Sequence, residues 1–144
     1  MTMTTTTTHD DNQPKELAKL PVVRVQDVLL ARLVAREEAA RLGFTAQALT
    51  QIATAVSEIT RNVVHHAGGP GQVRLFEVEE SGRLGLKIAV EDSGGGIADV
   101  DRTLAGASPG AGIPGCRKLM DVFAIQSGVG MGTTVTMVKW LPRA

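Results

Sequence analysis

Two short stretches constrain this chain more than its composition does. Glu58-Ile59-Thr60-Arg61-Asn62 lies in a segment with helical apolar spacing, and Asp92-Ser93-Gly94-Gly95-Gly96-Ile97 closes a segment that alternates like a strand. On a helix, Glu58 and Asn62 are one turn apart and share a face. A carboxylate and an amide there can serve proton and metal chemistry. A strand ending in an aspartate and a glycine cluster offers a hydrogen-bond acceptor beside backbone that a ligand can approach closely. Helix and strand together point to a nucleotide site.

Periodicity supplies the elements around these stretches. Residues 1–14 carry a threonine run with no apolar period and read as disordered. We take the Thr-rich tail to residue 20 and one folded domain over 21–144, a single-domain length. Val22-Val23-Arg24-Val25 reads as a short strand. Val28, Ala31, Ala35, Ala39 and Leu42 share one face of a helix over 27–42, which Gly43 stops. Thr45 caps a second helix over 46–67. Its apolar face is Ala48, Ile52, Ala55, Ile59 and Val63; Thr54, Glu58, Arg61, Asn62 and His65 cluster about 120° away. That places His66 in the packed layer beside Val63.

Strands follow over 72–79 and 83–91, joined by a hairpin turn at Ser81-Gly82. A short helix is expected over 98–105, a loop to Gly115, and a helix over 114–121 with Pro114 in its first turn. Strands over 123–127 and 133–140 flank Gly128-Val129-Gly130-Met131-Gly132. The fold class is α+β: a two-layer sandwich with a mixed, mostly antiparallel sheet and helices on one face.

Composition narrows the functions open to this fold. Lys+Arg and Asp+Glu are balanced at 15 each, so the basic excess of a polyanion binder is missing and no nucleic-acid partner is expected. No apolar run reaches the ~18 residues of a membrane span, and no signal peptide is visible. The single cysteine, Cys116, rules out an internal disulfide framework and fits a reducing cytoplasm.

Four boxes in order now carry a resemblance: Glu58-x-x-x-Asn62, Asp92-x-Gly94-x-Gly96, Gly110-x-Gly112-x-x-Gly115 and Gly132-Thr133. They resemble the GHKL ATPase superfamily and its Bergerat ATP-binding fold, over about residues 21–141. Ser57 to Asn62 and Gly112 to Asp121 look like the small serine/threonine kinases of bacterial partner switching, the stressosome type that antagonises anti-sigma factors.

The resemblance implies ATP and Mg²⁺, and a role for each matching position. Glu58 would be the general base and Asn62 a Mg²⁺ ligand. Asp92 would accept from the adenine amine with Thr133 nearby. Gly94, Gly96 and Ile97 would border base and ribose. Gly110, Gly112, Ile113 and Gly115 would form the lid and helix start around the phosphates. Arg61 either reaches the γ-phosphate or pairs within the protein, and His65 faces the pocket. The implied partner is a STAS-domain antagonist, with a PPM-type phosphatase or a sigma factor as further partners.

One stretch departs from the family pattern. Between Asp99 and Gly112 the chain is a few residues short, with Gly106-Ala107-Ser108-Pro109-Gly110 in place of the usual glycine-rich box. Two lost hydrogen bonds to a charged group would weaken ATP by about two to four orders of magnitude.

Other readings are weaker. Gly110 to Gly115 satisfies a dinucleotide fingerprint, but Ala105 to Pro109 is no strand to precede it. Adjacent His65 and His66 diverge too far to share an ion. Cys116 reads as a small packed residue, and Arg117 and Lys118 as a solvated face. An anti-sigma-factor module that binds without phosphorylating is the alternative function. A sensor histidine kinase is disfavoured, since no acceptor hairpin or sensor precedes the domain.

Overall fold

The structure, a computed structural model, describes residues 13–67, 70–94 and 112–142. Its order is β1 (Lys15–Val22), α1 (Val25–Leu42), α2 (Ala46–Asn62), a π-helical segment (Val63–Ala67), β2 (Gly71–Glu80), β3 (Arg83–Asp92), α3 (Gly112–Leu119), β4 (Val122–Ser127) and β5 (Thr133–Trp140). The helix expected over 98–105 lies outside the described residues.

One sheet with strand order β1-β2-β3-β5-β4 forms the floor. Every pairing among the described residues is antiparallel, so the expected mixed sheet is corrected. Helical connections that could have set strands parallel lie both between β1 and β2 and between β3 and β5, yet each of these pairs runs antiparallel. Successive side chains alternate across the sheet, and the register lines up those that face the helices. Ala18, Leu75, Ile88, Met137 and Phe123 make one row, and Leu20, Val73, Val90, Val135 and Ile125 the next. Against these rows pack Ala31, Ala35 and Ala39 of α1 and Ile52, Ala55, Val56 and Ile59 of α2. The helices cross the sheet in order: α1 over the β1 flank, α2 in the middle, α3 on the β4 flank.

Two boundaries differ from expectation at the N-terminus. The sheet begins at Lys15, inside the stretch assigned to the tail, and Val25 starts α1 rather than ending a strand. A register shift between Glu16 and Ala18 breaks the alternation of β1, and Pro21 sits within it. Pro is tolerated there because β1 is an edge strand. The N-terminus of α1 is held by Asp27, whose carboxylate accepts the backbone N–H groups of Arg24 and Val23, both at 2.9 Å. Those bonds hold its pKa below the usual carboxylate value. Thr45 Oγ1 accepts the Ala48 N–H at 3.2 Å and caps α2 as the sequence implies.

The β4–β5 turn closes on Gly132, which has φ +74°. A Cβ there would run into the Asp92 carbonyl oxygen. Gly132→Ala is therefore expected to cost more than ~1 kcal/mol of stability. A urea midpoint equal to that of the parent protein would refute this close approach.

Candidate nucleotide site

The site begins with how α2 ends. Ser57 and Thr60 are buried, and their hydroxyls bond back to the carbonyls of Ala53 (2.8 Å) and Val56 (2.7 Å), so the helix buries them at little cost. On the opposite side Glu58 Oε2 accepts from Arg61 Nη1 at 3.0 Å, with side chains 37% and 49% exposed. Of the two uses the sequence left open for Arg61, pairing within the protein is the one seen here. Asn62 follows, half-buried, and its Nδ2 has no hydrogen-bond partner although the atom is buried. Buried polar atoms are rarely orphaned, so this amide is a place where a ligand atom would be accepted.

After Asn62 the helix widens into π winding over Val63–Ala67, where α-helix was expected to continue to residue 67. Such segments occur often at functional sites. The wider winding turns His66 off the face of Val63. Val63 is buried, whereas His65 and His66 are both exposed, which corrects the packed position expected for His66.

Val63 fixes the helix end over the sheet. A Cβ on Gly71 would lie 2.6 Å from Val63 Cγ1, so only glycine lets the two approach. Gly71 pairs with Asp92, Asp92 with Thr133, and Thr133 with Ser127. With Val22, which pairs Gly71, these make a third row on the helix-facing side. This row is polar on β3, β5 and β4, where the two rows beside it are apolar.

Asp92 is half-buried. Its Oδ1 accepts the Gly94 N–H at 2.9 Å, and no bond to its other carboxylate oxygen is made among the described residues. Thr133 is 9% exposed, and its hydroxyl is 2.7 Å from that of Ser127. Ser127 also donates to the Gly132 carbonyl at 3.0 Å. Ser127 is not among the residues that the sequence motifs mark. The signal was present: Phe123, Ile125 and Ser127 alternate toward the helices, and a five-residue turn joins Ser127 to Thr133.

Helix α3 packs against α2 from the β4 side. Cys116 Sγ lies 3.6 Å from the Ala55 carbonyl and is buried. Burial first, and the Glu58 carboxylate second, push its thiol up to about 12, the reverse of an activated cysteine. Glu58 thus lies within electrostatic reach of α3. Gly115 is exposed, as are Arg117 and Lys118, the solvated face expected of them. Gly112 opens the helix. Gly96, Ile97, Gly110 and the shortened lid lie outside the described residues, as does the side chain of Ile113.

An open pocket of about 340 Å³ is lined by Pro70, Gly71, Gln72, Glu91, Asp92 and Ser93. It touches Asp92 but not Glu58, Asn62 or Thr133, so it marks the rim of the site rather than its enclosure. Among the described residues no three His, Cys, Asp or Glu side chains converge as a metal cluster, and no helix is long and apolar enough to cross a membrane.

Comparisons with known proteins fit this geometry. Residues 23–139 match the histidine kinase-like ATPase domain. The serine/threonine-protein kinase RsbT of Bacillus subtilis is 39% identical over 120 residues, which cover 80% of this chain and 90% of that protein. An anti-sigma F factor of Caldanaerobacter subterraneus is 32% identical over 130 residues, covering 82% and 88%. Among solved structures, the histidine kinase domain of a blue-light activated histidine kinase from Erythrobacter litoralis EL346 aligns with TM-score 0.50 and 28% identity. That alignment covers 65% of this chain but only 44% of the larger structure. The chain belongs to the histidine kinase-like ATPase domain family, and its antiparallel sheet under helices is that family's α+β fold.

Cys116 is expected to stay unlabelled by thiol reagents at neutral pH and to react once the protein unfolds; stoichiometric labelling of folded protein would contradict its burial. Its folded pKa lies above the ordinary 9.0. The stability carried by the neutral thiol is therefore complete below pH 9.0 and lost as pH rises from there toward about 12. Urea midpoints should fall across that window, and Cys116→Ala should remove this component of the fall.

Proposed function

We propose that this chain is an ATP-dependent protein serine/threonine kinase that phosphorylates a STAS-domain antagonist in a bacterial partner-switching system. Through that partner it would regulate a sigma factor or a PPM-type phosphatase. One observation carries the reading. The helix end with Glu58 and the orphaned amide of Asn62 is pinned, through Val63 on Gly71, over the strand row that holds Asp92 and Thr133. A relative named as a serine/threonine kinase over 90% of its length supports the same reading.

In this proposal the residues divide the work. Asp92 accepts from the exocyclic amine of adenine, with Thr133 beside it. Gly94, Gly96 and Ile97 border base and ribose. Gly110, Gly112, Ile113 and Gly115 bring backbone N–H groups to the phosphates, where a helix start favours negative charge. Glu58 takes the proton from the acceptor hydroxyl as it attacks the γ-phosphorus in line. Arg61 exchanges Glu58 for the γ-phosphate, and His65 borders the site mouth.

Mg²⁺ fits these residues. It takes few protein ligands and shares phosphate oxygens and water. A carboxamide whose buried end lacks a partner can present oxygen or nitrogen by a half-turn, and its oxygen is a hard donor. Asn62 would hold the ion, which supplies charge neutralisation on the phosphates. The shortened lid implies that ATP is held weakly without the partner.

The test is incubation with γ-labelled ATP, Mg²⁺ and the STAS protein encoded beside this chain. Glu58→Gln is expected to lower transfer by about 10²- to 10⁴-fold while the partner complex survives. Full transfer by that variant would remove Glu58 as base. Asp92→Asn is expected to weaken ATP about 10- to 100-fold; an unchanged titration would take Asp92 out of the site. A tight partner complex with no transfer by the unaltered chain would instead favour the non-phosphorylating module, in line with the anti-sigma F relatives.

A further inference from the structure

The helix-facing positions of β4 are Phe123, Ile125 and Ser127. The first two pack against the apolar core, and the third breaks the pattern with a hydroxyl. Ser127 is half-buried, and its Oγ makes two contacts: 3.0 Å to the Gly132 carbonyl oxygen and 2.7 Å to Thr133 Oγ1. Tying the β4–β5 turn needs only the first. The second, shorter contact reaches a side chain that stands opposite Asp92 across β3 and β5.

The hydroxyl hydrogens fix the direction of that second bond. A serine hydroxyl has one hydrogen and two lone pairs. A carbonyl oxygen only accepts, so the Ser127 hydrogen points at Gly132. In the 2.7 Å contact Ser127 is then the acceptor and Thr133 the donor. With its hydrogen held on β4, Thr133 Oγ1 offers a ligand lone pairs alone. Opposite residues of an antiparallel pair have Cβ atoms about 5 Å apart. The Thr133 oxygen and the Asp92 carboxylate are therefore two acceptors side by side at one strand end.

We propose that Ser127 is a positioning residue that fixes Thr133 as a hydrogen-bond acceptor and so sets the nucleobase preference of the site. This rests on the reading of Asp92 and Thr133 as the base-binding pair. An exocyclic amine brings two hydrogens to two acceptors. A carbonyl oxygen in the same place, as in hypoxanthine, meets lone pairs from both. Without Ser127 the Thr133 hydroxyl is released to turn, and its hydrogen can go to the base. One of the two acceptors then becomes a group that takes either an amine or a carbonyl, and discrimination falls.

Isothermal titration of the full chain with Mg²⁺ and either ADP or IDP tests this, since IDP carries a carbonyl where ADP carries the amine. The unaltered chain should prefer ADP, and Ser127→Ala should reduce the ratio of the two affinities about 10-fold. Ser127→Thr, which keeps the hydroxyl, should restore the ratio. In a Thr133→Val background Ser127→Ala should change it no further, because Ser127 acts through Thr133. A purely structural role, through the lost bond to Gly132, would lower the melting temperature and weaken both nucleotides alike. A ratio unmoved by Ser127→Ala, or lowered as much in the Thr133→Val background, would overturn the proposal and leave the base-binding pair standing. An unaltered chain that binds neither nucleotide, or both equally, would remove the pair itself and this inference with it.

Discussion

The row Val22–Gly71–Asp92–Thr133–Ser127 is the constraint on which the candidate site depends. It crosses all five strands on the helix-facing side, next to rows that are wholly apolar. Because side chains alternate with period two, a slip of one residue between β3 and β5 would send Asp92 to the outer face and an apolar neighbour with it. The core therefore enforces the position of the polar row. Val90 against Val135 and Ile88 against Met137 hold the register, and Asp92 opposite Thr133 follows from it. Gly132 tightens the same end by bringing the β4–β5 turn onto the Asp92 carbonyl. Stability and site geometry are one problem at this end of the sheet.

What the sequence made legible follows the same logic. The elements read best were those whose pattern is set by burial on one side: the inner faces of α1 and α2, and β5, placed over 133–140. β1 was misread because a register shift and Pro21 disguise its alternation, while Val22, Val23 and Val25 imitate a strand across a helix start. His66 was misplaced because a regular helix was assumed through Ala67, and π winding follows from no local residue type. Among the site residues, Asp92 and Thr133 could be assigned to strand ends, but their being opposite one another is a property of strand order. Sequence alone left that order unassigned, and for the same reason it missed Ser127.

The two polar features at the end of α2 differ in energetic character. The Glu58–Arg61 pair is exposed, and such i,i+3 pairs contribute about 0.3–0.5 kcal/mol after screening. It orients the two side chains without locking them. A hydrogen bond from Arg61 to a charged ligand group, or from a ligand hydroxyl to the Glu58 carboxylate, is worth roughly 1.5–3 kcal/mol, several times more, so the pair yields to a ligand. Asn62 is the opposite case. Its buried, unpartnered nitrogen costs the folded protein about 1–3 kcal/mol that an apolar residue would not. A ligand atom that pairs with this amide regains that cost without displacing any protein contact. The helix end thus carries one weak, exposed ion pair and one buried polar atom without a partner. Both bias the same turn of α2 toward binding something polar, and the Asp92 row lies directly beyond it.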